Sequence, residues 1–321
     1  MTKSLRLPDT VQELLRCPVC KSNLIRTDDQ FSCANPVCQA HFPTVGGVPV
    51  LINDNSSLFS INDFISQRQT TLNLTSNSVK TLIKRLLPGL GRNINGKRNY
   101  QKLAALLLTE SAEPRILIIG GSILGDGMEV LVGESRIELI ETDVSFGPRT
   151  QVICDGHDLP FANGAFDAVV VQATLQYLLE PAKCVDEIHR VLKSTGLVYA
   201  ESAFMQQVVL GRYDFSRFTH LGHRHLFRRF EEVSSGVICG PGMALAWSVQ
   251  FFFLSFARSK MVRGLIRAFC QLGLFWIKYF DYYLAEKPGA YDAASGFYFM
   301  GKKSERVLNG RDLICLYRGP Q

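Results

Sequence analysis

Four cysteines near the start of the chain and an acid near its middle have the types and spacing to do chemistry. Two residues separate Cys17 from Cys20, four separate Cys33 from Cys38, and twelve lie between the pairs. Each pair can sit on a tight knuckle and present two thiolates to one tetrahedral ion. His41 is the alternative to Cys38 as fourth ligand. Further on, Arg115-Ile-Leu-Ile-Ile-Gly120-Gly121-Ser122-Ile-Leu-Gly125-Asp126-Gly127 joins an apolar run to four glycines. Glycine admits positive φ and lets a ligand approach the backbone. A helix starting there would aim unpaired N–H groups at a polar or anionic group. Asp143 follows 23 residues after Gly120. At that distance in a nucleotide-binding βαβ unit, an acid accepts hydrogen bonds from both ribose hydroxyls.

The elements that must hold these residues follow from the hydrophobic pattern. The run before Gly120 reads as a parallel strand buried on both faces. Arg136–Asp143 reads as a second strand, Gln151–Asp155 as a third, Ala165–Ala173 as a fourth and Gly196–Ser202 as a fifth. An amphipathic helix over Pro181–Ser194 carries Val185, Ile188 and Val191 on one face. Strands alternating with helices predict an α/β fold with a doubly wound parallel sheet. Phe230–Ile238 is expected as a sixth strand, and Ala294–Lys303 as a seventh, antiparallel between the fifth and sixth. The four cysteines lie in a head over residues 1–55, and a unit of that size has little core without a metal staple. The other five cysteines read as core.

The head, with Cys17-Pro-Val-Cys20, a second cysteine pair and Phe42-Pro43-Thr-Val-Gly46-Gly47-Val48-Pro49-Val50-Leu51-Ile52, resembles the zinc-ribbon family of methyltransferase-activator proteins. That resemblance implies structural Zn2+ on Cys17, Cys20, Cys33 and Cys38. From Asp155 through Leu159-Pro160-Phe161, Phe166-Asp167, Pro181, Glu187-Ile188 and Arg190-Val-Leu-Lys193 to Gly196-Leu197, the chain resembles class I S-adenosylmethionine (SAM)-dependent methyltransferases, particularly the methyltransferase type 11 group. The implied fold is a Rossmann-like seven-stranded sheet, and the implied cofactor is S-adenosyl-L-methionine. Gly120, Gly121, Ser122 and Gly125 would line its methionine and ribose end, with Asp143 on the ribose hydroxyls. Asp155, Gly156 and His157 would border the adenine, and Gln172 would face the sulfonium and the acceptor. Where that family usually has an acid two residues before its first glycine, this chain has Ile118.

Methyl transfer needs positioning above all, and a base only where the acceptor must lose a proton. The position after the fourth strand reads Val171-Gln172-Ala173-Thr174 and lacks the Asn-Pro-Pro-aromatic motif; a Pro-Cys nucleophile in the sheet is also missing. Both departures argue against several nucleic-acid and glutamine methylations. The loop after the fifth strand should lie above the methyl donor, which makes Tyr213, Asp214, Arg217 and His220, together with Gln172 just past the fourth strand, the catalytic and acceptor-site candidates.

The remaining regions bear on partners. Residues 56–112 form a basic connector, with no Asp or Glu from Phe64 to Thr109 and helical spacing over Val79–Leu87 and Tyr100–Leu108. Its cations form either a solvated face or a surface for RNA phosphates, phospholipid or a sugar diphosphate. The methyltransferase domain should span 113–305, interrupted by a helical insertion at 243–285, with a tail at 306–321. The insertion is rich in aromatic rings and cations and suits either an interfacial helix pair or homodimer packing. The chain has a net charge of +6, 20% charged residues, no apolar core in its opening residues and no long uncharged apolar run. These predict a cytoplasmic protein, peripheral at the inner face of the membrane if the insertion docks there. The expected acceptor is a small-molecule, glycan or lipid-linked compound; the alternatives are rRNA or tRNA, and a non-catalytic scaffold.

Overall fold

The computed structural model describes residues 5–68, 70–71 and 87–320, and its described strands join one sheet. Four short antiparallel strands build the head: β1 (Leu24–Arg26), β2 (Gln30–Cys33), β3 (His41–Val45) and β4 (Val48–Leu51). Seven more follow: β5 (Arg115–Ile119), β6 (Glu138–Asp143), β7 (Val152–Cys154), β8 (Phe166–Gln172), β9 (Leu192–Ala203), β10 (Phe230–Cys239) and β11 (Gly296–Lys303). The order is β1-β2-β3-β4-β7-β6-β5-β8-β9-β11-β10. From β7 to β9 all neighbours are parallel, while β11 runs antiparallel between β9 and β10. Strands β5 to β11 thus take the doubly wound order that the sequence predicts, but the sheet has eleven strands rather than seven because the four strands of the head join it.

The head extends that sheet. Strand β4 pairs in parallel with β7, matching Val50 to Ile153 and Leu51 to Cys154. An apolar strand next to the open edge of β7 satisfies backbone groups that would otherwise stay unpaired. The backbone of Arg16 donates to the Pro160 carbonyl at 2.9 Å, Ala162 donates to the Leu14 carbonyl at 2.8 Å, and Lys21 pairs with Glu187 at 2.9 Å. Leu7, Val11, Leu15, Phe31 and Phe42 are buried in the same cluster as Leu117, Val169 and Ile188. The head and the large sheet thus share a core.

Burial on both faces explains the unbroken apolar strands. Leu117 and Ile119 of β5 face one layer, which α5 (Pro181–Val191) covers with Cys184, Val185 and Ile188. Ile116 and Ile118 face the other, which α3 (Gly96–Glu110) covers with Tyr100, Leu103 and Leu107. Helix α5 ends at Val191, three residues before the expected Ser194, because Leu192 already pairs with Phe166 in the sheet. Earlier in the chain lie α1 (Asp9–Gln12) and α2 (Ile61–Ile65); α4 (Glu129–Val132), a single turn after the glycines, precedes β6. The insertion between β10 and β11 contains α7 (Pro241–Ser255) and α8 (Lys260–Leu274), and α6 (His220–Leu226) precedes β10. The expected helix over Val79–Leu87 lies, but for its last residue, outside the described residues. No helix among the described residues is long and apolar enough to cross a membrane.

Candidate functional site

The two cysteine knuckles close on each other. Lys21 and Gln39 follow their knuckles with left-handed backbone at φ 60 and φ 49. The backbone of Lys21 donates to the Cys17 carbonyl at 2.8 Å, and that of Cys38 to the Asn35 carbonyl at 3.1 Å. The Sγ atoms of Cys17, Cys20, Cys33 and Cys38 lie within 4.8 Å of one another, with Cys17–Cys38 at 3.8 Å and Cys20–Cys33 at 3.4 Å. Zinc–sulfur bonds of about 2.3 Å place tetrahedral thiolates roughly 3.8 Å apart. Hydrogen bonds with Ser22 draw the Cys20 thiol down to about 6, towards the thiolate a metal needs. His41 is outside the cluster, its Nδ1 paired with Ser32 Oγ at 2.9 Å. Among the other cysteines, Cys154, Cys184 and Cys270 are buried and Cys239 is half-buried. Cys315, expected in the core, is exposed because its terminal helix buries none of its residues.

A cavity of about 520 Å³ opens where the C-terminal ends of β5, β6, β7, β8 and β9 meet the loops above them. This is the crevice in which open α/β sheets bind ligands, and its volume is that of a small-molecule site. Gly120, Gly125, Asp143, Asp155, His157 and Gln172 line it. Gly121, Ser122 and Gly156, expected at the cofactor, are not among the lining residues. Ser122 donates its backbone N–H to Asp143 Oδ2 at 3.0 Å, while its own buried hydroxyl has no partner among the described residues. Burial raises the Asp143 carboxyl above its ordinary value despite hydrogen bonds from Ser122, Ser145 and Val144. Gly120 takes φ +81, and a Cβ there would land on Thr174 Oγ1. Ile118, at the position where the resembling family has an acid, also lines the cavity.

Asp155 is held from three sides. Its Oδ1 accepts from the His157 backbone at 3.0 Å and pairs with His157 Nδ1 at 2.5 Å; its Oδ2 accepts from Ser57 Oγ at 2.5 Å. Glu180 donates its backbone N–H to His157 Nε2 at 3.1 Å, which puts the ring proton on Nδ1. Burial acts to raise the Asp155 carboxyl, but the hydrogen bonds with His157 and Ser57 prevail and hold it below its usual value.

Glu201, read from the sequence only as part of a strand, also lines the cavity. It accepts from Tyr199 Oη at 2.6 Å, Gln172 Nε2 at 3.0 Å and Asn93 Nδ2 at 3.2 Å. Burial raises its carboxyl to about 7, against those three hydrogen bonds. A carboxyl with that value can hold or release a proton near neutral pH. Gln172 is fixed at both ends, its Oε1 accepting from Tyr100 Oη at 3.1 Å and its Nε2 also donating to the Asp126 carbonyl at 3.0 Å. A Cβ at Gly125 would land on Gln172 Oε1. Next to it, Ala173 has φ 49 and donates its N–H to the Glu201 carbonyl at 2.9 Å. A strained backbone of this kind persists where its surroundings over-determine it, commonly at functional sites.

The loop candidates divide. Tyr213 lines the cavity with its ring 5.6 Å from Phe59. Asp214 does not line it: Arg217 and the Val209 backbone N–H hold its carboxylate in the loop. His220 does not line it either, being buried against Tyr291 and Phe297, where burial lowers it to about 4. Beyond the expected residues, Leu58, Phe59 and Thr71, Gly91, Arg92 and Asn93 from the connector, and Met243 from α7, complete the walls. The sequence signal for Glu201 was a lone acid closing an otherwise apolar strand. The connector residues left no comparable mark.

Residues 134–200 match the family model described as a methyltransferase domain. This part of the chain is a methyltransferase domain. A demethylmenaquinone methyltransferase of Clavibacter sepedonicus is 35% identical over 72 residues, which are 22% of this chain and 24% of that protein. The match therefore spans about a quarter of that relative's length. Among solved structures, phosphoethanolamine N-methyltransferase 2 of Haemonchus contortus in complex with S-adenosyl-L-methionine is 16% identical (64% of this chain, 53% of that chain, TM-score 0.41). Geranyl diphosphate C-methyltransferase of Streptomyces coelicolor is 14% identical (63% and 76%, TM-score 0.38). A chain from the complex of the Haloferax volcanii Trm112 methyltransferase activator with a methyltransferase is 15% identical (65% and 94%, TM-score 0.39). Asp143, Asp155, His157 and Gln172 fall inside the methyltransferase-domain match, and Glu201 lies one residue beyond it.

Proposed function

We propose that the chain is a SAM-dependent methyltransferase acting on a small-molecule, glycan or lipid-linked acceptor with an apolar portion, and that a structural zinc ion holds its head together. One observation supports the enzymatic reading above the rest. A single cavity is lined by the glycine turn, Asp143 and Asp155, by a buried, titratable Glu201, and by the apolar side chains of Leu58, Phe59, Tyr213 and Met243. Gly120, Gly125, Asp143 and Asp155 would hold the cofactor, with Asp143 suited to vicinal hydroxyls. When bound, SAM supplies an already activated methyl group.

The protein's part is to orient, exclude water and move a proton. Gln172, braced by Tyr100 and the Asp126 carbonyl, orients the Glu201 carboxylate. With the methyl donor bound, Glu201 would take the proton from the acceptor's hydroxyl or amine. Phe59 and Tyr213 pack together on the Asp143 and Asp155 side of the cavity, where they would shield the cofactor from water.

Calorimetric titration of SAM into the zinc-loaded full chain tests the cofactor, and saturable binding is expected. No heat and no competition by S-adenosylhomocysteine would leave the scaffold reading standing. Incubation with methyl-labelled SAM and fractionated cell extract tests the acceptor. Label is expected in the small-molecule, glycan or lipid fraction, and label in RNA would overturn that assignment.

A further inference from the structure

Helix α8 has its polarity reversed for a helix on a protein surface. Of its fifteen residues only Cys270 is buried. Met261, Leu265, Phe269 and Leu272 recur at helical spacing and are all exposed, Met261 at 75% and Phe269 at 74%. Phe252, Phe253 and Phe256 at the end of α7 are exposed beside them. About half of the exposed large apolar side chains among the described residues lie between Leu245 and Tyr283. A surface helix normally turns its apolar stripe inward, and a contiguous exposed patch marks an interaction site.

Charge indicates what covers it. From Pro241 to Phe280 the chain has no Asp or Glu, whereas Arg258, Lys260 and Arg267 are exposed around the apolar stripe. Trp276 and Tyr279 are exposed in the turn that follows. Apolar side chains fringed by cations, with amphipathic rings at the border, complement the headgroup layer of an anionic bilayer. A second copy of the chain is a poorer partner, because a two-fold contact across this face would set the same cations against each other.

The patch is tied to the cavity. Asp281 accepts from the backbone of Gly242 at 2.6 Å and Met243 at 3.0 Å, locking the start of α7 to the end of the insertion. Met243 lines the cavity. Arg92, also in the cavity wall, donates to Tyr282 Oη at 2.6 Å and lies over the rings of Tyr279 and Tyr282. Lys278 donates to the Gly89 carbonyl.

We propose that the outer face of α7 and α8 docks on an anionic lipid bilayer and holds the cavity wall beside the headgroups. The docking is independent of cofactor binding, so its test does not depend on the methyltransferase reading.

The experiment is co-sedimentation of the full chain with vesicles of phosphatidylcholine alone and of phosphatidylcholine with phosphatidylglycerol, at low and high salt. Binding is expected to the anionic vesicles and to weaken with salt as the cations are screened. The double substitution Phe256→Asp with Phe269→Asp should weaken it at least about tenfold, since burying one large apolar side chain is alone worth that factor. Its thermal midpoint should match the wild type, because both positions are exposed. Ile314→Asp, on an exposed side chain of the terminal helix, should leave binding unchanged. The proposal is overturned by absence of binding to anionic vesicles at low salt, by equal loss in Ile314→Asp, or by a solution dimer that the double substitution dissolves.

Discussion

Replacing Glu201 with Gln tests whether a buried carboxyl sits at the cavity with the acid strength a proton acceptor needs. In the folded chain its value is raised from 4.5 to about 7. At low pH the carboxyl is protonated in both the folded and unfolded states and its titration contributes nothing. As pH rises past 4.5, the unfolded chain ionises while the folded chain still holds its proton, so stability falls with pH. Above about 7 both states are ionised and the loss levels off. The shift corresponds to about 3 kcal/mol across the window, most of which falls between pH 5 and 8. Gln cannot ionise, so the variant should lack this slope. Its amide would instead face the Nε2 of Gln172 and the Nδ2 of Asn93, both donors, at a cost of about 1–3 kcal/mol at every pH. The variant should therefore be less stable than wild type at pH 5, and the two curves should cross so that it is as stable or more stable at pH 8. Urea unfolding from pH 5 to 8 measures both curves. Parallel curves would show that Glu201 does not titrate in this range, and the proton-acceptor role would fall with it. Once an acceptor is in hand, the same variant should lose roughly 10²–10⁴-fold in methyl transfer, along with the rise in rate through pH 7.

The other predictions concern the metal, the cofactor and the brace. Elemental analysis of the purified chain should find one zinc per molecule, and Cys33→Ser should lower it sharply. Chelation should lower the thermal midpoint of the whole chain in one transition, because the head shares its core with the sheet; a separate low-temperature transition would refute the shared core. Asp143→Ala should weaken SAM binding by roughly 10- to 100-fold, the worth of hydrogen bonds to a charged group. Unchanged calorimetric affinity would remove Asp143 from the site. Gly125→Ala should push Gln172 off Glu201 and move the pH-dependent loss of stability upward, which the same urea series would show.

What the sequence makes legible is what repeats locally. The alternation of Ile116 and Ile118 against Leu117 and Ile119 serves two buried faces, so β5 could be recognised without its neighbours. The cysteine knuckles are legible for the same reason, since two residues between one pair of thiols and four between the other already bring each pair onto one turn. Side-chain direction in loops is a different matter. Asp214 and His220 looked suited to catalysis by type and place, yet Arg217 claims one and the rings of Tyr291 and Phe297 the other. Conversely, Glu201 looked like part of a strand, because its role depends on Asn93, 108 residues away, and on Gln172, 29 residues away. Such partners are set by the sheet order and carry no local signature.

The same sheet order gives the head a role at the cavity. Strand β4 ends at Leu51, paired with Cys154, so the chain leaves the head beside Asp155. Six residues past Leu51, Ser57 hydrogen-bonds Asp155, and the next two, Leu58 and Phe59, form cavity wall. Ser56 reaches Asp158 at 2.5 Å in the same turn. The capping box of Ser60 and Asp63 then starts α2, whose Phe64 is buried near Phe59 and Phe146. Once β4 is registered on β7, little freedom remains for the segment carrying Leu58. The four thiols gather the loops that carry β2 and β3, and β3 is the antiparallel neighbour of β4. Loosening the thiol cluster should thus be felt at Asp155 through strand pairing, with no direct contact between metal and cavity. A head that only stabilised the fold would need neither the β4–β7 register nor the Ser57 hydrogen bond. The register and the hydrogen bond together set the start of the connector, with Leu58 and Phe59, into the wall that would enclose the cofactor.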